Sequence, residues 1–313
     1  MPAVITHQIF GEEVHQLPVV DPSFPSVFNW GAQGPDIFLF TLPLSSDARR
    51  LIRVGISLHC GLVEKNLALM ADCCRKAEGI EKAALTSYLY GYLAHYILDS
   101  TMHPFVYGIQ RYFKALLPAA SDNYLHRTIE TNLDILFLNK LRGMTIKNYS
   151  VSGMLKLRPE LDFICRMFSR LMYDNYGIGI GSERIRKSFS SMRSVYAFLY
   201  SPVGIKRGAI GAVEHIIGHR YPEYAALSHT VKASNKIDFA NIDKAIIDEG
   251  SDALKHDAFE LFETAKQRYE TAAEKLRQIL LDGGDFDDIT NGLNFKGERE
   301  EDKSAGGQVM QTL

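Results

Sequence analysis

The chain has 313 residues, of which 46% are apolar and 23% are charged, and its mean hydropathy is −0.10. This composition is typical of a globular protein and excludes a disordered or fibrous chain. The formal net charge of −2 provides no broad attraction to nucleic acid or anionic lipid, so only a local patch could provide one.

The first 45 residues hold six of the chain's eleven prolines and predict irregular structure, with a turn-rich loop at GAQGPD (31–36). The chain starts MPAVITHQIF, without a basic start and a long apolar core, so no secretory signal is predicted. No run approaches ~18 apolar residues, so no transmembrane segment is expected. We therefore expect a cytoplasmic protein, whose four cysteines are free thiols.

Beyond residue 45, apolar spacing and helix breakers predict a series of helices. Ser121 is expected to cap one of them, and Pro104 is expected to end another. Strand-like alternation is nearly absent, which predicts an all-α fold. The predicted helices cover about 58–77, 80–103, 122–141, 155–176, 182–200, 207–219, 238–248 and 251–281.

We expect a single multi-helix domain over residues 1–282. Its last predicted helix is amphipathic, which is typical of a helix that packs on a bundle and closes it. Residues 283–313 are polar and rich in glycine, and we expect them to form a flexible tail.

A ligand pattern lies in the predicted helix GYLAHYILDSTMHPF (91–105). His95, Asp99 and His103 follow one another at intervals of four, which places them on one helical face. His126 and Glu130 repeat the spacing on the next helix. Imidazoles and a carboxylate aligned in an otherwise apolar helix favour a metal site.

Three more candidate ligands lie earlier in the chain, namely His7, Asp36 and His59. Zinc is usually four-coordinate, so eight ligands suit two or three ions with a bridging carboxylate. Taken singly, each histidine could be an ordinary core or surface residue, and each pair a simple i,i+4 hydrogen bond. The repetition of this spacing on two predicted helices favours a metal site. Gly91, one turn before His95, would leave room for ions or for a neighbouring helix.

In this order the motifs resemble the zinc-dependent phospholipase C family. The motifs are an early histidine, NWGAQGPD (29–36), SLHCGLVEKN, GYLAHYILDSTMHP and HRTIE, and the resemblance spans roughly residues 7–136. It implies an all-α fold with three zinc ions, similar in fold to single-strand-specific zinc nucleases.

The resemblance also implies how the ligands divide among the ions. Asp99 would bridge the first two ions. The implied sets are His59, His95 and Asp99; Asp99 and His7; and His103, His126 and Glu130.

Asp36 would lie beside the metal-bound water, as a ligand or as the base that deprotonates it. Secreted family members also use an N-terminal tryptophan as a ligand, whereas this chain begins Met-Pro and its single tryptophan, Trp30, is internal. The ion that takes His7 would lack that ligand, so two or three ions are expected.

The implied activity is phosphodiester hydrolysis of the phospholipase C type, in which zinc-bound hydroxide attacks phosphorus. Its substrate would be a phospholipid or another phosphodiester. An alternative is a nuclease or small-molecule phosphodiesterase on the same scaffold, although a nuclease would need stacking aromatics and cations that the balance of 35 basic to 37 acidic residues does not favour. A third hypothesis is a catalytically inactive, metal-stabilised helical module. The sequence gives no oligomeric state.

Several further motifs have competing interpretations. GIGIGSE (177–183) does not follow a predicted strand and predicts a turn rather than a nucleotide site. His215 and His219 share the i,i+4 spacing but lack an acid on that face, which makes them a weak metal candidate. The histidines expected outside the site are His15, His229 and His256.

Two pairs of alternatives concern the substrate. Phe38, Phe40 and Leu42 would either line an apolar entry or, as the commoner case, form plain core. Glu12 and Glu13 would either meet a cationic head group or simply be solvated.

Overall fold

The computed structural model describes residues 4–20, 23–41, 45–233, 237–247 and 252–300. Within these ranges the chain forms twelve α-helices and three short 3₁₀ helices, without a β-strand, and the predicted all-α fold class is confirmed. The α-helices are α1 (Val4–Val14), α2 (Pro25–Gly31), α3 (Ser46–Cys60), α4 (Val63–Lys76), α5 (Gly79–Leu116), α6 (Asp122–Arg142), α7 (Val151–Met154), α8 (Leu161–Tyr176), α9 (Ser182–Leu199), α10 (Ile205–Ile216), α11 (Ala258–Asp282) and α12 (Asp287–Thr290). The 3₁₀ helices are Gly34–Phe38, Ala225–Leu227 and Asp252–Lys255.

The 38-residue helix α5 is the centre of the fold. Helices α2, α11, α4 and α6 pack around it, so its side chains are buried along most of its length. Tyr88, Tyr92 and Tyr96 are fully buried within this core. Within the described ranges, none of the helices has both the length and the apolar composition of a membrane-spanning segment.

Two glycines allow α2 and α5 to cross in close contact. A Cβ on Gly91 would overlap the Phe28 carbonyl oxygen and would lie 2.9 Å from the Gly31 Cα. Gly91 thus admits a neighbouring helix, one of its two predicted roles. The crossing places the loop after α2, with its 3₁₀ helix Gly34–Phe38, beside the central helix.

Replacing Gly91 by alanine is expected to lower the free energy of unfolding by about 1–3 kcal/mol, because backbone atoms of α2 must move to admit the methyl group. Gly208 is the matched control, since it is helical and a Cβ there meets nothing within 4 Å. Gly208→Ala should raise stability, by up to about 1 kcal/mol. Urea unfolding measures both variants, and a stabilising Gly91→Ala would contradict the crossing.

The prediction that Pro104 ends its helix is wrong, because α5 continues to Leu116. A proline inside a helix removes one hydrogen bond, but buried side chains beyond it hold the helix to the core. These side chains include Phe105, Ile109 and Phe113.

The prediction that residues 1–45 are irregular is wrong for α1 and α2. Most of α1 is buried, so its sequence lacks the polar face that marks an amphipathic helix. Helix α2 begins at Pro25, where a proline is well tolerated.

The predicted helix 58–77 is in fact the end of α3 and the whole of α4. Leu62 separates them with φ of +59°, outside the right-handed helical region. The Glu300 carboxylate accepts hydrogen bonds from the backbone N–H groups of Leu62 (3.0 Å) and Val63 (2.9 Å), and so caps α4.

Two predictions near the last long helix also need correction. Residues 237–247 are not helical, because the Asn241 side chain bonds the backbone N–H and C=O of Ile246 and holds a turn. Helix α11 begins at Ala258 rather than near 251, where Asp257 and Glu260 form a capping box. Residues 248–251 lie outside the described residues.

Other predicted features are confirmed. Ser121 caps α6 by accepting the Tyr124 N–H at 3.1 Å. Gly177 ends α8 in the left-handed region, so GIGIGSE is a turn between helices. The four cysteines are free.

Residues 283–300 differ from the expected flexible tail. They form α12 and then a turn that brings Leu293 opposite Arg299 in an isolated bridge. Phe286 and Phe295 are buried, which attaches this polar stretch to the helices. The packed part of the chain therefore extends past the predicted boundary at 282, and residues 301–313 lie outside the described residues.

Candidate metal centre

All eight predicted ligands lie together around α5, although five different elements supply them. Seven are buried residues, and the side chain of His126 is the most exposed at 13%. The ligands are His7 on α1, Asp36 on the 3₁₀ helix, His59 on α3, His95, Asp99 and His103 on α5, and His126 and Glu130 on α6.

The first group of potential ligands contains His7, His95 and Asp99. The two Asp99 carboxylate oxygens lie 3.0 Å from His7 Nε2 and 3.2 Å from His95 Nε2. The two imidazoles stack with their centroids 4.1 Å apart. This carboxylate therefore faces imidazoles from two helices.

The second group contains Asp36, His59 and His95. Asp36 Oδ1 lies 3.1 Å from His59 Nε2. His95 belongs to both groups, so the two groups are directly adjacent. The Gly34 backbone (φ +52°) packs against the His95 ring so closely that a Cβ would overlap it, which accounts for this glycine in the NWGAQGPD motif.

The third group contains His103, His126 and Glu130. Glu130 Oε1 lies 3.2 Å from His126 Nε2 and 3.7 Å from His103 Nε2. His103 Nδ1 also lies 3.7 Å from Asp99 Oδ2, which links this group to the first. In each group the ligand atoms lie within 4.8 Å of one another.

This grouping differs in one respect from the sets that the resemblance implied. Those sets placed Asp99 with His59 and His95, whereas the geometry places Asp36 there and leaves Asp99 with His95 and His7. Which side chains share an ion stays a prediction.

Each of four histidines is oriented by a second contact at Nδ1. Three of the acceptors are backbone carbonyls, which can only accept, so Nδ1 must donate and Nε2 is the nitrogen that faces the cluster. The pairs are His59 with Gly55 O (2.6 Å), His95 with Ala32 O (3.1 Å), His103 with Phe295 O (2.8 Å) and His126 with Gln110 Oε1 (3.0 Å).

Several facing atoms of the cluster are buried and lack a hydrogen-bond partner among the described residues. Groups of this kind are rare and costly in folded proteins. Imidazole nitrogens and carboxylate oxygens are the ligand atoms that zinc binds, so the residues fit the metal. The atoms are Nε2 of His59, His95 and His103, Oδ1 of Asp36, Oδ2 of Asp99 and Oε2 of Glu130.

The electrostatics keep the acids ionised. Burial alone would raise the pKa of Asp99, but the neighbouring His103, His95 and His7 hold this pKa well below its usual range. Burial would likewise raise the pKa of Asp36, but His59 and His95 lower it. Burial would lower the pKa of His95, but Asp99 and Asp36 raise it.

Sequence reasoning missed the residues that position His7. Asp134 on α6 accepts the backbone N–H groups of Ile5 (3.2 Å) and Thr6 (2.7 Å), and so caps the first turn of α1. His229 donates from Nε2 to Asp134 Oδ2 at 2.8 Å. No local pattern connects these residues, because 95 or more positions separate Asp134 from each partner.

Asp134→Asn is expected to lower the free energy of unfolding by about 1–3 kcal/mol, because the amide leaves buried donors unpaired. Since His7 follows the capped turn, the affinity for the zinc ion that His7 would bind should fall about 10- to 100-fold. Asp122→Asn, at the exposed start of α6, is the control and should change zinc binding little. Zinc titration after mild chelation measures the effect, and unchanged affinity in Asp134→Asn would contradict this role.

Phe295 is a second missed residue. Its ring is fully buried and contacts His59 and His95 at centroid distances of 5.2 and 5.7 Å. It also packs on Tyr92 and Tyr96. The segment predicted to be a flexible tail thus forms one wall of the ligand cluster.

The remaining candidate residues lie elsewhere. His215 is exposed and contacts the His219 carbonyl at 2.7 Å, and neither belongs to a group of potential ligands among the described residues. The same holds for His15, His229 and His256.

The two substrate-related predictions have mixed outcomes. Phe38 is core, Phe40 is partly buried against Tyr196, and Leu42 lies outside the described residues. Glu12 and Glu13 pair with Arg142 at 3.3 and 2.7 Å, which gives both carboxylates a cation from the protein itself.

The comparisons with known proteins add one positive finding. The family model of zinc dependent phospholipase C matches residues 1–174, a range that includes every predicted ligand. No curated protein and no solved structure matches the chain. Since the match covers more than half of the sequence, the chain belongs to the zinc-dependent phospholipase C family.

Proposed function

We propose that this protein is a metal-dependent phosphodiester hydrolase of the phospholipase C type, whose eight clustered ligands hold two or three zinc ions. The observation that carries the proposal is the convergence of imidazole nitrogens and carboxylate oxygens into three groups, whose ligand atoms lie within 4.8 Å of one another. Bound zinc would supply a Lewis acid that polarises phosphoryl oxygens and lowers the pKa of water.

Asp36 is proposed as a metal ligand or as the base that orients the attacking water and takes its proton. Its Oδ1 lies 3.1 Å from His59 Nε2, and its pKa is lowered by His59 and His95, so the carboxylate is ionised and able to accept. The other ligands would hold the zinc ions in place. Their burial would keep bulk water away from the reacting phosphorus.

A small cavity with a partly apolar lining lies beside the ligands. A cavity of about 20 Å³ lies between His7 and Glu130, which is room for roughly one water molecule. Aliphatic and thioether side chains supply much of its lining, and no lysine or arginine from the described part of the chain contributes to it. These side chains are Leu98, Met102, Val106 and Leu133.

The test is turnover by zinc-loaded protein on phosphatidylcholine micelles and, in parallel, on single-stranded DNA. We expect release of the phosphorylated head group, lost with a chelator and restored by zinc. His256→Ala, an exposed histidine outside the cluster, is the control and should retain full activity.

Cleavage of DNA without hydrolysis of phospholipid would instead identify a nuclease. Bound zinc without turnover of either substrate, or of a chromogenic phosphodiester, would identify an inactive metal-stabilised module.

A further inference from the structure

Helix α10 has its apolar face towards solvent. Ile205, Val213 and Ile216 are 74%, 58% and 83% exposed. Their spacing of eight and then three residues places them on one face of the helix. Ile217 extends this face, and Val203 lies just before it. A surface helix normally buries its apolar face, whereas α10 exposes this face to solvent.

The opposite face of α10 is the one that packs on the protein, although it contains few apolar side chains. Glu214 is buried there and accepts the backbone N–H groups of Tyr224 (2.8 Å) and Ala225 (2.9 Å). Gly211 is also buried and packs beside Pro222 and Ala225. Polar capping, rather than apolar burial, therefore holds the helix and leaves its apolar face open.

The charges around this face have one sign. Only Lys206 and Arg220 are exposed charged residues between positions 198 and 224. The two acids of this stretch are both engaged, since Glu214 caps a turn and Glu223 pairs with Arg127 at 3.6 Å. Exposed apolar residues flanked by cations favour an anionic membrane surface.

The same cations disfavour a second copy of the chain as the occupant. A two-fold dimer through α10 would bring Lys206 and Arg220 of both copies to one interface, where like charges repel. An anionic lipid surface instead neutralises them.

Helix α10 is also attached near the candidate metal centre. It packs on the 3₁₀ helix Ala225–Leu227. This 3₁₀ helix in turn contacts α6, where Thr131 donates to the Ala226 carbonyl at 2.8 Å. Thr131 directly follows Glu130, a proposed ligand.

We propose that the apolar face of α10 (Val203, Ile205, Val213, Ile216 and Ile217) docks on anionic phospholipid surfaces. Lys206 and Arg220 would lie at the head groups and the isoleucines and valines below them. The proposal rests on the proposed function for its choice of a lipid as the partner, and it explains how a chain with a net charge of −2 would reach such a surface.

The test is flotation of zinc-loaded protein with vesicles of phosphatidylglycerol and phosphatidylcholine in equal parts, against phosphatidylcholine alone. The variant Val213→Glu/Ile216→Glu should lower the partition coefficient at least about tenfold. The matched control, Ile80→Glu/Leu281→Glu, changes two equally exposed apolar residues at 66% and 67% and should bind like the unmodified protein. Lys206→Glu should weaken binding only to the anionic vesicles.

Flotation needs no turnover, so a protein that binds vesicles without hydrolysing lipid would retain this proposal and lose the proposed function. Failure of the unmodified protein to bind anionic vesicles, or equal binding by the two double variants, would overturn the docking surface. A concentration-dependent dimer that only Val213→Glu/Ile216→Glu dissociates, without vesicle binding, would overturn it in favour of a second copy. Circular dichroism of each variant checks the fold.

Discussion

Replacement of Asp99 by asparagine is expected to release zinc and to abolish phosphodiester hydrolysis. Asp99 faces His7, His95 and His103 at 3.0–3.7 Å, so its carboxylate links two of the three groups. Asparagine keeps the shape of the side chain but removes its charge. Loss of an outer-shell residue costs about 10- to 100-fold in metal affinity, and loss of a direct ligand should exceed this.

The measurement for Asp99→Asn is zinc content by elemental analysis together with turnover. Asp288→Asn, which changes an exposed aspartate on α12, should retain both zinc and activity. Because a buried charge is removed, the fold of the variant is checked by circular dichroism before analysis. Full zinc content with unchanged turnover would contradict the proposed site.

The second large effect is expected at Phe295, where alanine should lower the free energy of unfolding by about 3–5 kcal/mol. The ring is fully buried among His59, His95, Tyr92 and Tyr96. Its removal would leave a cavity directly against the ligand cluster. Zinc affinity should fall as well, because loss of the ring would loosen the segment whose backbone carbonyl, at residue 295, orients His103 at 2.8 Å.

Thermal and urea unfolding with and without a chelator measure the Phe295→Ala effect. Phe198→Ala, at an exposed site, is the control and should change stability by less than about 0.5 kcal/mol. A chain truncated after Asp282 should lose more unfolding free energy than Phe295→Ala, because it also lacks the Glu300 cap of α4. If the shortened chain kept full stability and zinc, residues 283–300 would have no part in the site.

The sequence was sufficient for the features that depend on local spacing. The ligands of α5 and α6 repeat every four residues, so one helical face follows from geometry alone. The helix cap at Ser121 and the turn at GIGIGSE likewise depend on a few adjacent residues. These are the elements for which prediction and structure agree.

The features that could not be predicted depend on contacts between distant segments. Helix α1 is buried on nearly all sides and therefore has no polar face to mark it. Asp134 reaches the start of α1 across 128 positions, and Phe295 packs on His59 from the far end of the chain. Tertiary packing also carries α5 past Pro104, against the local preference of proline.

The most direct test is X-ray diffraction from crystals of protein purified without added metal, recorded on both sides of the zinc absorption edge. We predict two or three anomalous peaks, each at about 2.0–2.2 Å from the Nε2 and carboxylate atoms of one ligand group. Absence of zinc from all three groups, or zinc bound only elsewhere in the chain, would contradict the proposed metal centre.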